Sequence, residues 1–359
     1  MRKRTLSSNK ILVYTPEAVS LKEVARQIGS IYMQEGYPVN LLVTETPKTS
    51  EIINYKGVII VHPFYASTCA RAARIYIDCK KYLNGNVCWY TMSEGIPEPK
   101  LIPDWIVNNC EVIANSYFVK KCLEKAGIKV REVIWHGVPY HEVKLAAEQT
   151  FDYIQKIMQN FKGKCIIGLV TRGEKRKGLD LALSALDAIY QERKDFVVLA
   201  ILDDEGINKI RGKPYVYLVS RFGERNHVEI LGFLGAVDYL LFPSMCESFG
   251  MPTLEANAMG TPCIIPWIPP FNEFLRKDLN ITFEYETEEL KFQPGGVYYV
   301  FHLYDVNDLK YAIEYAIDLR LKNPSEYYEL RQKLNEEFER NKEKYFSEFL
   351  YKKFMKYVK

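Results

Sequence analysis

Short apolar runs alternate with segments of helical spacing along most of the chain. Ile11–Tyr14, Val39–Val43, Val58–Val61, Val87–Tyr90, Glu111–Ala114 and Val133–Trp135 read as strands. Between them, Leu21–Glu35, a stretch over 66–82, and Val119–Ala126 carry the amphipathic spacing of helices. Gly36 and Gly127 close the first and last of these. Strands that are apolar throughout, separated by amphipathic helices, predict a parallel sheet covered on both faces. The pattern pauses after Pro139, where Tyr140–Phe161 reads as one connecting helix. A second series follows: strands Cys165–Val170, Phe196–Leu202, Tyr215–Val219, Tyr239–Phe242 and Cys263–Ile265, with helices Leu179–Gln191, His227–Leu231 and Thr253–Met259. Long, charged, tyrosine-rich helices are predicted from Asn307 to Lys359. Two α/β halves result, with a link near residue 140.

Composition narrows the class. A chain of 359 residues is long enough for two cores. Apolar residues at 48% and charged residues at 26% exclude a disordered chain. The net charge of +3 is spread out, apart from Arg2–Arg4, Lys175–Lys177 and the C-terminal stretch, which argues against a nucleic-acid partner. A phosphate site needs only two or three local cations and stays open. The eight cysteines form no C-x-x-C pair and no zinc-finger spacing. They read as reduced, buried small hydrophobes, with a cytoplasmic location as the expectation. The N-terminus lacks the apolar core of a signal peptide, and no apolar run approaches a membrane span.

Two segments carry candidate chemistry. In the first, the strand Tyr239–Phe242 runs into Pro243-Ser244-Met245-Cys246-Glu247-Ser248-Phe249-Gly250-Met251-Pro252-Thr253-Leu254-Glu255. A helix starting after Gly250, with Pro252 in its first turn, offers unpaired N–H groups and a partial positive charge to an anion such as pyrophosphate. Glu247 and Glu255 repel phosphate, so hydroxyls of ribose and sugar are their natural partners. The second segment, Gly168 to Asp180, contains Arg172 and Lys177-Gly178 opening a helix. Cations held in place there would stabilise the charge that grows on a departing diphosphate. Gly173 and Gly178 have P-loop separation, but Leu179 follows where Lys-Ser/Thr is required, and G-x-G-x-x-G is absent. An ATPase and a dehydrogenase are therefore not supported.

Together the two segments resemble the family-4 retaining glycosyltransferases of GT-B fold. The Pro-Ser start, the Glu-x-Phe-Gly-x-Pro core and the second glutamate eight positions on are all present at Pro243–Glu255. The resemblance implies two Rossmann-like domains with parallel sheets facing across a cleft. It implies an N-terminal acceptor domain over 1–138, with a C-terminal helix at about 340–359 packing back on it. A connecting helix over 139–163 and a nucleotide-sugar domain over 164–339 complete the expected organisation. Glu255 would bind the donor ribose, Glu247 the donor sugar, and Arg172 and Lys177 the pyrophosphate. The backbone around Ser248, Phe249, Gly250 and Met251, with Thr253, would line the donor pocket. No cofactor and no metal are expected, since side-chain cations and a helix terminus do that work. Asp203-Asp204-Glu205 then reads as an acidic turn. The partners implied are a nucleotide-sugar donor and a glycan, lipid or small-molecule acceptor.

Weaker echoes of the family lie at Val112–Ser116, Val133–Val138, Gly260–Ile264 and Asp305–Leu309. His62 follows a strand near the family's acceptor side. It reads equally as a catalytic, acceptor-side residue or as a plain strand-end histidine, while His227 and His302 read as structural. One departure stands out: the family's Gly-Gly loop after the first strand is replaced by Thr15–Ser20, which has no glycine. A hydroxyl from Thr15 or Ser20 could substitute for the close backbone approach. That departure keeps open a non-catalytic nucleotide-sugar-binding protein; a nucleotide-sugar epimerase of the same fold, which would have no acceptor, is the other alternative. The C-terminal stretch Tyr345–Lys359 has two readings, peripheral contact with a membrane surface or packing onto the first domain.

Overall fold

The structure is a computed structural model that describes residues 9–45, 47–52, 54–149 and 151–358. The basic residues at 2–4 lie outside the described residues. The chain divides into two compact units. The first comprises Met1–Gly137, Leu290–Val300 and Phe346–Lys359, and the second Val138–Glu289 and Phe301–Tyr345.

In the first unit, β1 (Ile11–Thr15), β2 (Val39–Val43), β3 (Gly57–Val61), β4 (Val87–Thr91), β6 (Glu111–Ala114) and β7 (Lys129–Val133) form a parallel sheet. A short strand, β5 (Gly95–Pro97), follows β4. The sheet order is β2-β1-β3-β4-β6-β7. Every residue of β1, β3 and β4 is buried, as their unbroken apolar runs require. The edge strand β7 instead alternates exposed and half-buried positions, with charges at Lys129, Arg131 and Glu132. Apolar content therefore mislocates it: the expected strand Val133–Trp135 is replaced by Lys129–Val133. A sheet edge tolerates and even favours such charge.

The second unit holds β8 (Cys165–Thr171), β9 (Phe196–Leu202), β10 (Val216–Arg221), β11 (Tyr239–Leu241), β12 (Cys263–Pro266) and β13 (Ile281–Phe283). They run parallel in the order β10-β9-β8-β11-β12-β13. Counted from β8, that is the 3-2-1-4-5-6 order of dinucleotide-binding sheets. The direction of winding reverses between β8 and β11.

Four expectations need correction. The stretch 140–161 is two helices, Tyr140–Glu148 and Asp152–Gln159, separated where Gln149 turns extended. Beyond the break, Phe151 lies against Gly232, where an added Cβ would come within 2.1 Å of its ring. Both helices belong to the second unit rather than to a separate link. Two further strands, β14 (Thr287–Gln293) and β15 (Val297–Leu303), join at Pro294-Gly295-Gly296, and β15 pairs with β5. Through them Leu290–Val300 joins the first unit, so the second domain is not continuous over 164–339. Finally, the C-terminal region after the helices Val306–Lys322 and Pro324–Arg340 is a run of short helices, Lys342–Tyr345, Ser347–Leu350 and Tyr351–Lys356, not one helix. Phe346, Leu350, Tyr351, Phe354 and Val358 are buried there, and Tyr32 Oη donates to the Val358 carbonyl. Most of the apolar side chains that a membrane-surface role would use are consumed in that packing. No helix among the described residues is long and apolar enough to cross a membrane.

Candidate functional site

Ligands of open α/β sheets bind beyond the carboxyl ends of the strands where the winding reverses. In the second unit that point lies between β8 and β11, which pair at Tyr239–Ile167 and Leu240–Gly168. The loop after β8 carries Arg172 and Lys177, and the loop after β11 carries Glu247. Sequence separation hides the fact that the two motifs leave adjacent strands.

The loops are fastened together. The Met245 amide donates to the Arg176 carbonyl at 2.9 Å, and Arg176 Nη1 donates to the Cys246 carbonyl at 3.2 Å. Lys177 Nζ reaches Glu247 Oε1 at 2.5 Å, and Ser244 Oγ donates to the same oxygen at 2.8 Å. Lys177 and Glu247 side chains are only 14% and 7% exposed, so this pair is held largely out of water. Burial alone would raise the Glu247 pKa. The charges of Lys177 and Arg176 and the hydrogen bonds from Lys177 and Ser244 outweigh it and hold the carboxyl below its ordinary value. Glu247 is thus an anion at neutral pH, ready to accept from a hydroxyl.

Glycines make the close approach possible. Gly178 has φ 69° and would place a Cβ 2.0 Å from the Pro243 carbonyl oxygen. Gly250, at φ 88°, immediately precedes the helix Met251–Ala258, and a Cβ there would strike Phe271 at 2.4 Å. Phe249 is turned inward and stacks on Phe274 with ring centroids 4.2 Å apart. Thr253 is buried, and its hydroxyl donates to the Gly250 carbonyl at 2.8 Å. It closes the turn rather than facing a ligand.

Arg172 is placed differently from Lys177. Its guanidinium pairs with Glu174 at 2.8 Å and lies 3.5 Å from Asp203, and half of the side chain is exposed. Asp203 caps the helix Asp204–Lys209 and accepts from the Gly173 amide at 2.7 Å, which orders the loop beside Arg172. The structure therefore joins Lys177, but not Arg172, directly to the Glu247 turn.

Glu255, one turn into its helix, is buried, and its Oε1 lies 3.0 Å from His227 Nε2. The other ring nitrogen of His227 lies 2.5 Å from Glu142 Oε2. His227 and Glu142 carry no motif in the sequence, because their partners are 28 and 85 residues away. Arg176 and Ser244 lie within the motif segments, but the motif spacing marks no role for either.

The first-unit candidates sit at the carboxyl end of its own sheet. Thr15 ends β1 and is buried, while Ser20 is exposed near the start of the helix Val19–Gln34. His62 follows β3, stacks near Tyr14 with centroids 6.3 Å apart, and holds its Nδ1 2.8 Å from the Pro63 carbonyl. Burial is the largest influence on its pKa and lowers it. His136 is a core residue: Nδ1 lies 2.9 Å from Tyr90 Oη, Nε2 lies 3.2 Å from Asn115, and burial pushes its pKa down to about 3.

Residues 151–290, which hold every donor-side candidate, match the family described as Glycosyl transferases group 1. Over 334 residues the chain is 26% identical to "Uncharacterized glycosyltransferase 335" of Sulfolobus islandicus rod-shaped virus 1, covering 90% of this chain and 97% of that protein. Among solved structures, a glycosyltransferase from Rickettsia africae ESF-5 superposes with a TM-score of 0.69 at 16% identity over 98% of both chains. Anabaena Alr3699/HepE in complex with UDP-glucose superposes with a TM-score of 0.67 at 13% identity, over 97% of this chain and 98% of that one. The chain has two Rossmann-like domains of GT-B architecture, its switch-point loops lie within the stretch that matches group 1, and it is a glycosyltransferase.

Proposed function

We propose that this glycosyltransferase is a retaining enzyme that moves a hexose-type unit from a nucleoside-diphosphate sugar to an acceptor hydroxyl, without a bound metal. The observation that carries the reading is the Lys177–Glu247–Ser244 cluster at the reversal of the second sheet. A lysine and a carboxylate anchored on each other suit a ligand that is anionic at one end and rich in hydroxyls at the other. The Anabaena neighbour's complex with UDP-glucose supports a nucleotide-sugar donor here.

In this reading Lys177, Arg172 and the amino end of the helix after Gly250 hold the diphosphate. The backbone at Ser248–Met251 lines it, Glu247 accepts from the sugar, and Glu255 accepts from the ribose. As the bond from the anomeric carbon to the diphosphate oxygen breaks, its electrons go to that oxygen, where the cations stabilise them. The acceptor oxygen bonds to the anomeric carbon on the same face, and its proton passes to the departing phosphate oxygen. Eight free, buried cysteines support a reducing, cytoplasmic setting.

The test is a thermal-shift panel of UDP, GDP and ADP with their sugars, followed by NMR of the product's anomeric centre. One nucleotide at about a hundred times its Kd should stabilise the protein by roughly 2.7 kcal/mol. The linkage formed should keep the donor's configuration. A flat panel, or an inverted product, contradicts the reading. Because side-chain cations carry the diphosphate, excess EDTA should leave the transfer rate unchanged, whereas loss of activity restored by a divalent ion would refute the metal-free part.

A further inference from the structure

His227 lies between two buried carboxylates of the second unit. Nε2 faces Glu255 Oε1 at 3.0 Å and Nδ1 faces Glu142 Oε2 at 2.5 Å. Contacts at both ring nitrogens fix the plane of the imidazole, whichever nitrogen carries the proton. The ring is fixed at the first position of the helix His227–Ala236, whose start is locked by reciprocal bonds between Asn226 and Glu229. Glu142 is set in the first turn of Tyr140–Glu148. The side chains of His227 and of both glutamates are at most 12% exposed, so water cannot substitute freely for the contact.

We infer that His227, oriented by Glu142, is a positioning residue that holds the Glu255 carboxylate in register for the donor ribose and so sets the preference for ribose over deoxyribose. The inference rests on the proposed donor role of Glu255. The physical case has two parts. The Nε2 contact occupies one oxygen of Glu255, which leaves the other for a hydroxyl and removes the freedom of the carboxylate to swing. The Nδ1 contact with Glu142 in turn keeps the ring from rotating Nε2 away from Glu255. A carboxylate fixed before binding loses less entropy when the diol arrives.

The experiment uses the nucleoside diphosphate that stabilises the full-length protein most, with its 2′-deoxy and 3′-deoxy counterparts, measured by calorimetry. The wild type should prefer the ribo form by about tenfold or more, the range for a hydrogen bond to a charged group. His227→Gln should reduce that preference to less than about threefold and raise the donor KM, while kcat at saturating donor changes little and inorganic pyrophosphate binds as before. Glu142→Gln keeps an acceptor for Nδ1 without its charge and should fall between the two. Should His227→Gln not fold, Glu142→Gln carries the comparison alone. Variants that keep the full ribose preference overturn the inference. A wild type that binds no nucleotide, or that does not discriminate, or a Glu255→Gln variant that discriminates as well as wild type, overturns the donor-site reading beneath it instead.

Discussion

Lys177→Ala is expected to lower sugar transfer by about a hundredfold or more, the usual cost of one lost contact to charge that develops in a transition state. One of the three N–H donors of the ammonium is used by Glu247. Donors left on that group are the ones a departing diphosphate would draw on as its charge grows. The loss should fall mainly on kcat, because the phosphate charge is greater in the transition state than in the bound donor. Arginine is a poor replacement, since a planar fork does not fit where a compact point charge now meets Glu247. A second effect comes with the first. Removing the ammonium leaves Glu247 buried with Ser244 and a more distant Arg176, and breaking a buried ion pair typically costs about 3–5 kcal/mol.

The two effects can be separated. The double variant Lys177→Met, Glu247→Gln removes both charges and should recover most of the stability but none of the activity. The pH dependence has a definite sign. The folded pKa of Glu247 lies below its ordinary 4.5, so its contribution to stability is complete above about that pH and is lost as acidity passes through the lower folded value. Denaturation midpoints of wild type and Lys177→Met should therefore converge in acid below pH 4.5. A Lys177→Ala protein that is folded and transfers sugar at the wild-type rate would remove Lys177 from the donor site.

Local and non-local information divide cleanly here. The alternation of buried strands and amphipathic helices was readable because β1, β3, β4, β8 and β9 are buried along their whole length. Edge strands were readable only approximately, since β7 and β10 present charges and half-exposed side chains that blur an apolar run. The insertion of Leu290–Val300 into the first unit had no local signature beyond the turn residues Pro294-Gly295-Gly296. Within the site, the spacing of Glu247 and Glu255 is a property of one loop and one helix. The partners of those glutamates are not: Lys177 arrives from 70 residues away, and His227 and Glu142 arrive from two other helices. Strand order, which brings the loops after β8 and β11 side by side, cannot be read from periodicity at all.

The second large effect is expected at Gly178, which no ligand need touch. It ends the turn Lys175–Lys177 and begins the helix Leu179–Glu192, with φ 69°. An alanine there meets a left-handed backbone penalty of roughly 1–2 kcal/mol. Its Cβ would also lie 2.0 Å from the Pro243 carbonyl oxygen and 2.8 Å from Tyr304 Oη, which donates to that same oxygen. The obstacle is backbone on one side and a hydrogen-bonded phenol on the other, so neither yields cheaply. Gly178→Ala should thus cost roughly 2–4 kcal/mol, at the upper end for a single substitution. Gly212 supplies the control in the same unit: its φ is 76°, but nothing lies within 4 Å of an added Cβ, so Gly212→Ala should show the backbone penalty alone. Relieving the overlap means moving the loop after β8 away from the loop after β11, and Lys177 is the adjacent residue. Gly178→Ala should therefore also weaken nucleoside-diphosphate binding by about tenfold, the scale of one charge-assisted hydrogen bond, while Gly212→Ala leaves it intact. Equal losses of stability and unchanged binding in the two variants would mean that the loops are not fastened to each other at Pro243 as described.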